Sequence, residues 1–162
     1  MSFLQYLING ISIGSVYAII ALGYTMVYGI AKMLNFAHGD VIMVGAYMSY
    51  SVTSYLGLPT AVGIAVAVVV CTLLGVLIEG LAYKPLRGVP SLAVLITAIG
   101  VSYFLQNAAQ LVWGSAPKNF KSIVTMKPMV LFDGQLTITG EVIYTIAASV
   151  LIMVALTLFI NK

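Results

Sequence analysis

Four stretches of roughly twenty residues, near 3–30, 60–82, 91–113 and 140–160, run almost without charge through this chain of 162 residues. A bilayer core about 30 Å thick is crossed by about 20 residues of α-helix, at about 1.5 Å of rise per residue. Each stretch is long enough to cross, and none has a charged side chain at its centre. A water-soluble fold fails on the same evidence. Only 7% of the residues are charged and 62% are hydrophobic, whereas a soluble domain carries about 25% charged residues to coat its surface. The apolar surplus must face lipid. The expected fold is all-α: a polytopic transmembrane helical bundle of about five helices, forming one domain over 1–162.

The remaining helix is second in chain order. Residues 41–56, VIMVGAYMSYSVTSYL, are short for a span. They either borrow from the preceding NFAHGD, to run over about 36–56, or enter the bilayer as a broken helix. Between the third and fourth helices, YKPLRGVP stops helix with two prolines and a glycine, and its Lys84 and Arg87 favour the cytoplasmic face. The loop at 114–139 is then external, Lys162 internal, and the N-terminus external if the second segment spans. Lys32, Lys84, Arg87 and Lys162 inside stand against Lys118, Lys121 and Lys127 outside. That is a thin charge bias, and a re-entrant second segment moves the N-terminus to the other side. Within the external loop, MVLFDGQLTI sets Asp133 and Gly134 between two apolar-rich runs, the pattern of a small extramembrane β-hairpin.

The N-terminal MSFLQYLINGISIGS lacks a basic region, and its apolar stretch outruns a signal-peptide core, so it reads as mature sequence. Cys71 is the only cysteine, which excludes an internal disulfide. The net charge of +3 is spread over isolated residues and gives no footprint for nucleic acid.

In lipid, helices associate by close backbone approach through small side chains. Gly63, Ala67, Cys71 and Gly75 recur at four-residue steps in the third helix, as do Gly10, Gly14 and Ala18 in the first. Both stripes predict tight packing. Function must come from the polar residues. Gln106 and Gln110 lie one turn apart in the fourth helix with Asn107 beside them, near the outer end of the span; lining a watered path and bonding neighbouring helices are equally open to them. Tyr17, Tyr24 and Tyr28, with Thr25, share a face of the first helix and read as interfacial or interhelical groups. Glu79 is expected to reach toward Lys84 and Arg87.

The densest polar run is Asn35, Phe36, Ala37, His38, Gly39 and Asp40, which holds the only histidine. Asp40 is placed either to cap the following helix or to act in gating or the translocation path, because irregular backbone at membrane depth is tolerated where it borders a cavity. One histidine and one carboxylate give too few ligands for a metal. No catalytic triad, phosphate loop or ATPase motif can be assembled, so no catalytic, cofactor-binding or metal residue is expected, and the chain is not read as an enzyme. The candidates for the path or its gate are Tyr24, Tyr28, Asn35, His38, Asp40, Gln106 and Asn107.

YAIIALGYTMVYGIAKMLNFAHGD at 17–40, EGLAYKPLR at 79–87 and LITAIGVSYFLQN at 95–107 together resemble the permease subunits of bacterial branched-chain amino acid ABC transporters, in the family's order and spacing. The resemblance implies a multi-pass protein of the bacterial inner membrane. It implies a second homologous permease as partner, two cytoplasmic ATPases that bind the ATP, an external binding protein that delivers leucine, isoleucine or valine, and alternating access as the mechanism. A polar cavity between this subunit and its partner is expected, bordered by the first helix and the NFAHGD turn, because those two segments concentrate Tyr, Thr, Asn and His in an otherwise apolar chain. The family's NFAHGE is here NFAHGD, with a carboxylate arm one methylene shorter. Family members are nearly twice as long, and a cytoplasmic coupling loop follows the helix that here reaches Asn161 and Lys162, so this stretch by itself is not expected to couple ATP hydrolysis to movement. Rival readings are a permease for another small solute, such as urea or short amides, and a nontransporting membrane subunit.

Overall fold

In a computed structural model, which describes residues 3–32, 34–120, 129–131 and 136–160, the chain forms five α-helices: α1 (Phe3–Ala31), α2 (His38–Ser54), α3 (Thr60–Ile78), α4 (Ser91–Trp113) and α5 (Gly140–Ile160). Four helical runs, Phe3–Gly29, Thr60–Leu86, Ser91–Trp113 and Gly140–Phe159, are long and apolar enough to cross a membrane. Their apolar side chains point outward: Leu81, Leu111 and Phe159 are 77%, 88% and 77% exposed on the chain itself. That is the inverse of a soluble fold and suits a lipid or partner surround.

Helix boundaries follow proline and glycine. Pro59 and Pro90 stand in extended conformation directly before α3 and α4, where their missing N–H costs nothing. Gly114, at φ 80°, ends α4. α3 does not stop at Ile78 but continues through a π turn, Glu79–Tyr83, and a 3-10 turn, Lys84–Leu86. The cause is Pro85, which can neither donate to a carbonyl four residues back nor tolerate it sterically, so the turns before it change pitch.

The second segment is one unbroken helix, and irregular backbone lies before it, at residues 32 and 34–37. α1 ends with Lys32 in the left-handed region, at φ 56°, its N–H bonded to the Tyr28 carbonyl at 2.8 Å. At 17 residues α2 is about 25 Å long, and its neighbours fix its depth. Cys71 Sγ donates to the Val41 carbonyl at 3.4 Å, and Cys71 stands close to the middle of the apolar run Thr60–Leu86. α2 therefore begins near mid-bilayer and runs toward the end of the bundle where α3 starts.

The chain divides into two compact units. In the unit Val27–Phe120, α2 lies along α3 through small residues. A Cβ added at Gly45 would sit 2.6 Å from Cys71 Sγ, and one at Gly63 would lie 3.1 Å from Ser49 Oγ and 3.2 Å from the Ser49 carbonyl. Gly63 and Cys71 of the predicted stripe are thus contact points. Gly75, by contrast, borders open space. The buried cluster of this unit joins Ala37, Ile78, Tyr83, Val94, Ala98 and Leu105. In the unit Met1–Met26 with Lys121–Lys162, buried Ser149 of α5 donates to the carbonyls of Thr145 at 2.7 Å and Ser15 at 3.3 Å. The α1 stripe differs from expectation: a Cβ at Gly10 or Gly14 meets nothing within 4 Å among the described residues. Four-residue spacing brings small residues to one face without supplying a helix to receive them.

Met129–Leu131 and Leu136–Ile138 form a two-stranded antiparallel pair, with Val130 opposite Thr137. Lys121, Lys127, Asp133, Gly134, Asn161 and Lys162 lie outside the described residues.

An aromatic group marks the end of the bundle where α2 and α4 finish. Tyr47 stacks on Trp113 at 5.0 Å, and Tyr50 meets Tyr55 at 5.8 Å and Phe120 at 6.2 Å, as is usual for a membrane interface. Trp113 Nε1 also donates to Ser51 Oγ at 2.8 Å. Trp113→Phe keeps the stack and loses that bond. The expected result is a small fall in the thermal midpoint of the detergent-solubilised protein, equivalent to about 1 kcal/mol, with a larger fall for Trp113→Ala.

Candidate functional site

Hydroxyls inside an apolar span usually bond their own helix, and most here do so. Thr25 donates to the Leu22 carbonyl, Thr72 to Val68 and Thr97 to Ala93, so these polar atoms are hidden from lipid and carry no information about function. Asn107 makes the same kind of bond, its Nδ2 donating to the Tyr103 carbonyl at 2.7 Å.

Asp40 is different. It is the third residue of α2 and 9% exposed, and it does not cap the helix. The N-cap position is held by Ala37, without a side-chain cap. The carboxylate instead reaches α4, where Ser102 Oγ donates to Oδ2 and Gln106 Nε2 donates to Oδ1 at 3.1 Å. Gln106 also donates to Ser102 Oγ at 3.2 Å. The capping reading fails because a carboxylate here has stronger acceptor work across the helix pair than along its own backbone. Ser102 is eleven residues from either end of α4, so the α4 side of the cluster agrees with Cys71 in placing Asp40 near mid-bilayer. Gln106 therefore lies one turn from the helix centre and not at its outer end. A carboxylate at that depth is costly and marks a functional site by default. The positive end of α2 and two donors offset its desolvation.

Asn35 organises the irregular segment. Its Oδ1 accepts from the Ala37 N–H at 3.1 Å and from Tyr83 Oη at 2.8 Å, while the His38 N–H bonds the Asn35 carbonyl at 3.2 Å. The break before α2 is thereby tied to the π turn after α3. His38 is half-buried, and it shares with Asn35, Glu79 and Tyr83 the wall of a cavity of about 230 Å³. Glu79 pairs with Arg87, as expected from the sequence. The pair is largely exposed and contributes little to stability.

Tyr28 lies on a separate cleft of about 610 Å³, with Lys32, Leu86 and Arg87. Tyr24 belongs to the other compact unit, where it is half-buried. The structure thus joins Asp40 to Gln106 and Asn35 to His38. It keeps Tyr28 on a neighbouring cleft, and it adds two residues that sequence reasoning passed over. Ser102 stands four residues before Gln106, a helical spacing that could have singled it out. Tyr83 was visible only as part of a loop.

A set of membrane-length helices with irregular backbone before α2 and a hydrogen-bonded carboxylate between α2 and α4 is compatible with a membrane permease. Comparison with known proteins agrees: residues 6–162 match the family described as branched-chain amino acid transport system / permease component. The chain belongs to that family and is a multi-pass inner-membrane protein. It is 41% identical over 173 residues to the high-affinity branched-chain amino acid transport system permease protein BraD of Pseudomonas aeruginosa, covering 99% of this chain and 55% of that one. It is 42% identical over 171 residues to the corresponding LivH protein of Escherichia coli, covering 98% and 55%. The chain spans about half the length of these relatives. No solved structure matches.

Proposed function

We propose that these residues form part of the membrane-spanning permease subunit of an ATP-binding cassette importer for branched-chain amino acids, and that they border its translocation path. The partners on this reading are a second homologous permease, two cytoplasmic ATPases that bind and hydrolyse ATP, and an external binding protein that delivers the solute. The permease does no bond chemistry. Closure of the ATPases around ATP shifts the two permeases between outward-open and inward-open states, and the solute passes as the barrier changes side.

The observation that carries this reading is the Asp40–Ser102–Gln106 cluster at mid-depth, beside backbone that leaves helical geometry. A purely structural membrane subunit gains nothing from a carboxylate there that Ala or Leu would not supply at lower cost. The relatives, at 41% and 42% identity, supply the solute class.

The test is reconstitution in liposomes of the full-length protein carrying these residues, with its partner permease, ATPases and binding protein. ATP-dependent accumulation of leucine, isoleucine or valine is expected. Accumulation of a short amide in place of leucine would reassign the cargo, and no accumulation of either by a properly inserted complex would remove the transport reading.

A further inference from the structure

Arg87 follows Leu86, the last residue of the long apolar run through α3, and Ser91 opens the apolar run of α4. The turn between them therefore lies where hydrocarbon gives way to lipid headgroups. The cleft of about 610 Å³ stands at this level, and its wall combines two kinds of group. Lys32, Arg87 and the hydroxyls of Tyr28 and Ser91 are polar, whereas Leu86 and Leu92 are apolar. Leu92 is 65% exposed on the chain itself. With room for about twenty water molecules at about 30 Å³ each, the cleft is far larger than one inorganic anion requires.

The charges here do not cancel. Glu79 pairs with Arg87, while Lys32 has no ion pair among the described residues. Lys84 shares a second groove with Arg87 and Glu79, so three cations stand around one carboxylate. The Arg87 guanidinium uses Nη2 toward Glu79, and a guanidinium carries five N–H donors in a fork that suits phosphate, so donors are left for an anion. Lys32 points the same way by its backbone. Its φ of 56° lies in the region where glycine or asparagine ends a helix with least strain. The turn gains nothing from a lysine, so what the position supplies is the ammonium.

We infer that this cleft binds one anionic phospholipid of the surrounding bilayer. Its phosphate lies against Lys32 and Arg87, its glycerol and ester oxygens accept from the Tyr28 and Ser91 hydroxyls, and its upper acyl chains run along Leu86 and Leu92. Basic pockets between membrane helices take such headgroups. An acidic protein segment would satisfy the cations equally well, but it would press its own backbone N–H and C=O groups against the leucines, where they find no partner. Acyl chains carry no such groups. The bound lipid joins the end of α1 to the turn before α4, and it is independent of the cargo.

Thermal unfolding of the full-length protein in detergent, with added phosphatidylglycerol, phosphatidylcholine or inorganic phosphate, tests this together with photo-crosslinking by a phosphatidylglycerol that carries a diazirine near its headgroup. Phosphatidylglycerol should raise the thermal midpoint and label the peptides holding Lys32 and Leu92; phosphatidylcholine and inorganic phosphate should not raise it. Lys32→Asn keeps a residue that accepts left-handed backbone, so it should not lower the lipid-free midpoint. It should weaken the apparent affinity for phosphatidylglycerol roughly fivefold, the weight of one basic residue near an anionic surface. Arg87→Gln should weaken it at least as much, since the exposed pair with Glu79 adds little to stability. Lys118→Gln removes the same charge beyond the other end of α4 and should leave the affinity unchanged. An equal rise with phosphatidylcholine, or with inorganic phosphate alone, would overturn the site as one for an anionic lipid. Equal weakening by Lys118→Gln would reduce the binding to diffuse attraction and overturn it too. Absence of labelling in the full-length protein would mean that another part of the protein fills the cleft, with the same consequence.

Discussion

Asp40→Ala is expected to reduce ATP-dependent leucine uptake by the full-length complex at least about tenfold, equivalent to about 1.4 kcal/mol, and to lower its thermal midpoint. The substitution leaves the Ser102 hydroxyl and the Gln106 amide without their shared acceptor. Each orphaned group costs about 1–3 kcal/mol in a water-poor interior. The loss falls on the contact that ties the start of α2 to the middle of α4. Asp40→Asn separates the two roles of this side chain. Asn keeps the shape and an oxygen to accept from Gln106, while the Ser102 hydroxyl can turn to accept from the new NH2. The midpoint of Asp40→Asn should therefore stay close to that of the native protein. If its uptake nonetheless falls as far as that of Asp40→Ala, the charge itself acts in transport; if uptake is retained, the bond geometry is what matters. Normal uptake by Asp40→Ala would remove the cluster from the mechanism altogether.

The membrane helices were legible because lipid imposes a one-dimensional rule. About 20 uncharged residues must be helical wherever they cross, and Ser91–Trp113 and Gly140–Ile160 match the expected bounds. The helix break was legible for a related reason, since NFAHGD concentrates polarity that an intact lipid-facing helix would not carry. What remained hidden was everything decided by contacts distant in sequence. Asp40 looks like a cap when only its own helix is considered, yet its partners lie 62 and 66 residues away. Asn107 and Gln106 are neighbours with the same chemistry, but one residue is about 100° of helix rotation. Gln106 meets α2 across that angle, and Asn107 turns back on its own helix. The same limit explains the α1 stripe, where the spacing of Gly10 and Gly14 was visible and the absence of a close neighbour at them among the described residues was not.

Gly63→Val should produce the largest loss of stability, through the place where α2 and α3 approach most closely against backbone. A Cβ at Gly63 would lie 3.1 Å from Thr53 Cγ2 and Ser49 Oγ and 3.2 Å from the Ser49 carbonyl. Of these the carbonyl cannot rotate aside, so the helices must separate. Valine adds two methyl groups to that crowding, and overpacking of this kind costs about 1–3 kcal/mol or more. Gly45 offers a sharper comparison, because the atom in its way, Cys71 Sγ at 2.6 Å, ends a side chain. Gly45→Ala should lower the midpoint less than Gly63→Val, and adding Cys71→Ala should recover most of what Gly45→Ala loses, at the expense of the thiol's bond to the Val41 carbonyl. Gly14→Ala, with open space at its Cβ, should be neutral or slightly stabilising, since alanine is the better helix former. Thermal unfolding in detergent, followed by protease sensitivity of the α2–α3 connection, ranks the four proteins. Equal midpoints for Gly63→Val and Gly14→Ala would mean that the α2–α3 contact is not the close approach described, and the depth assigned to Asp40 through Cys71 would fall with it.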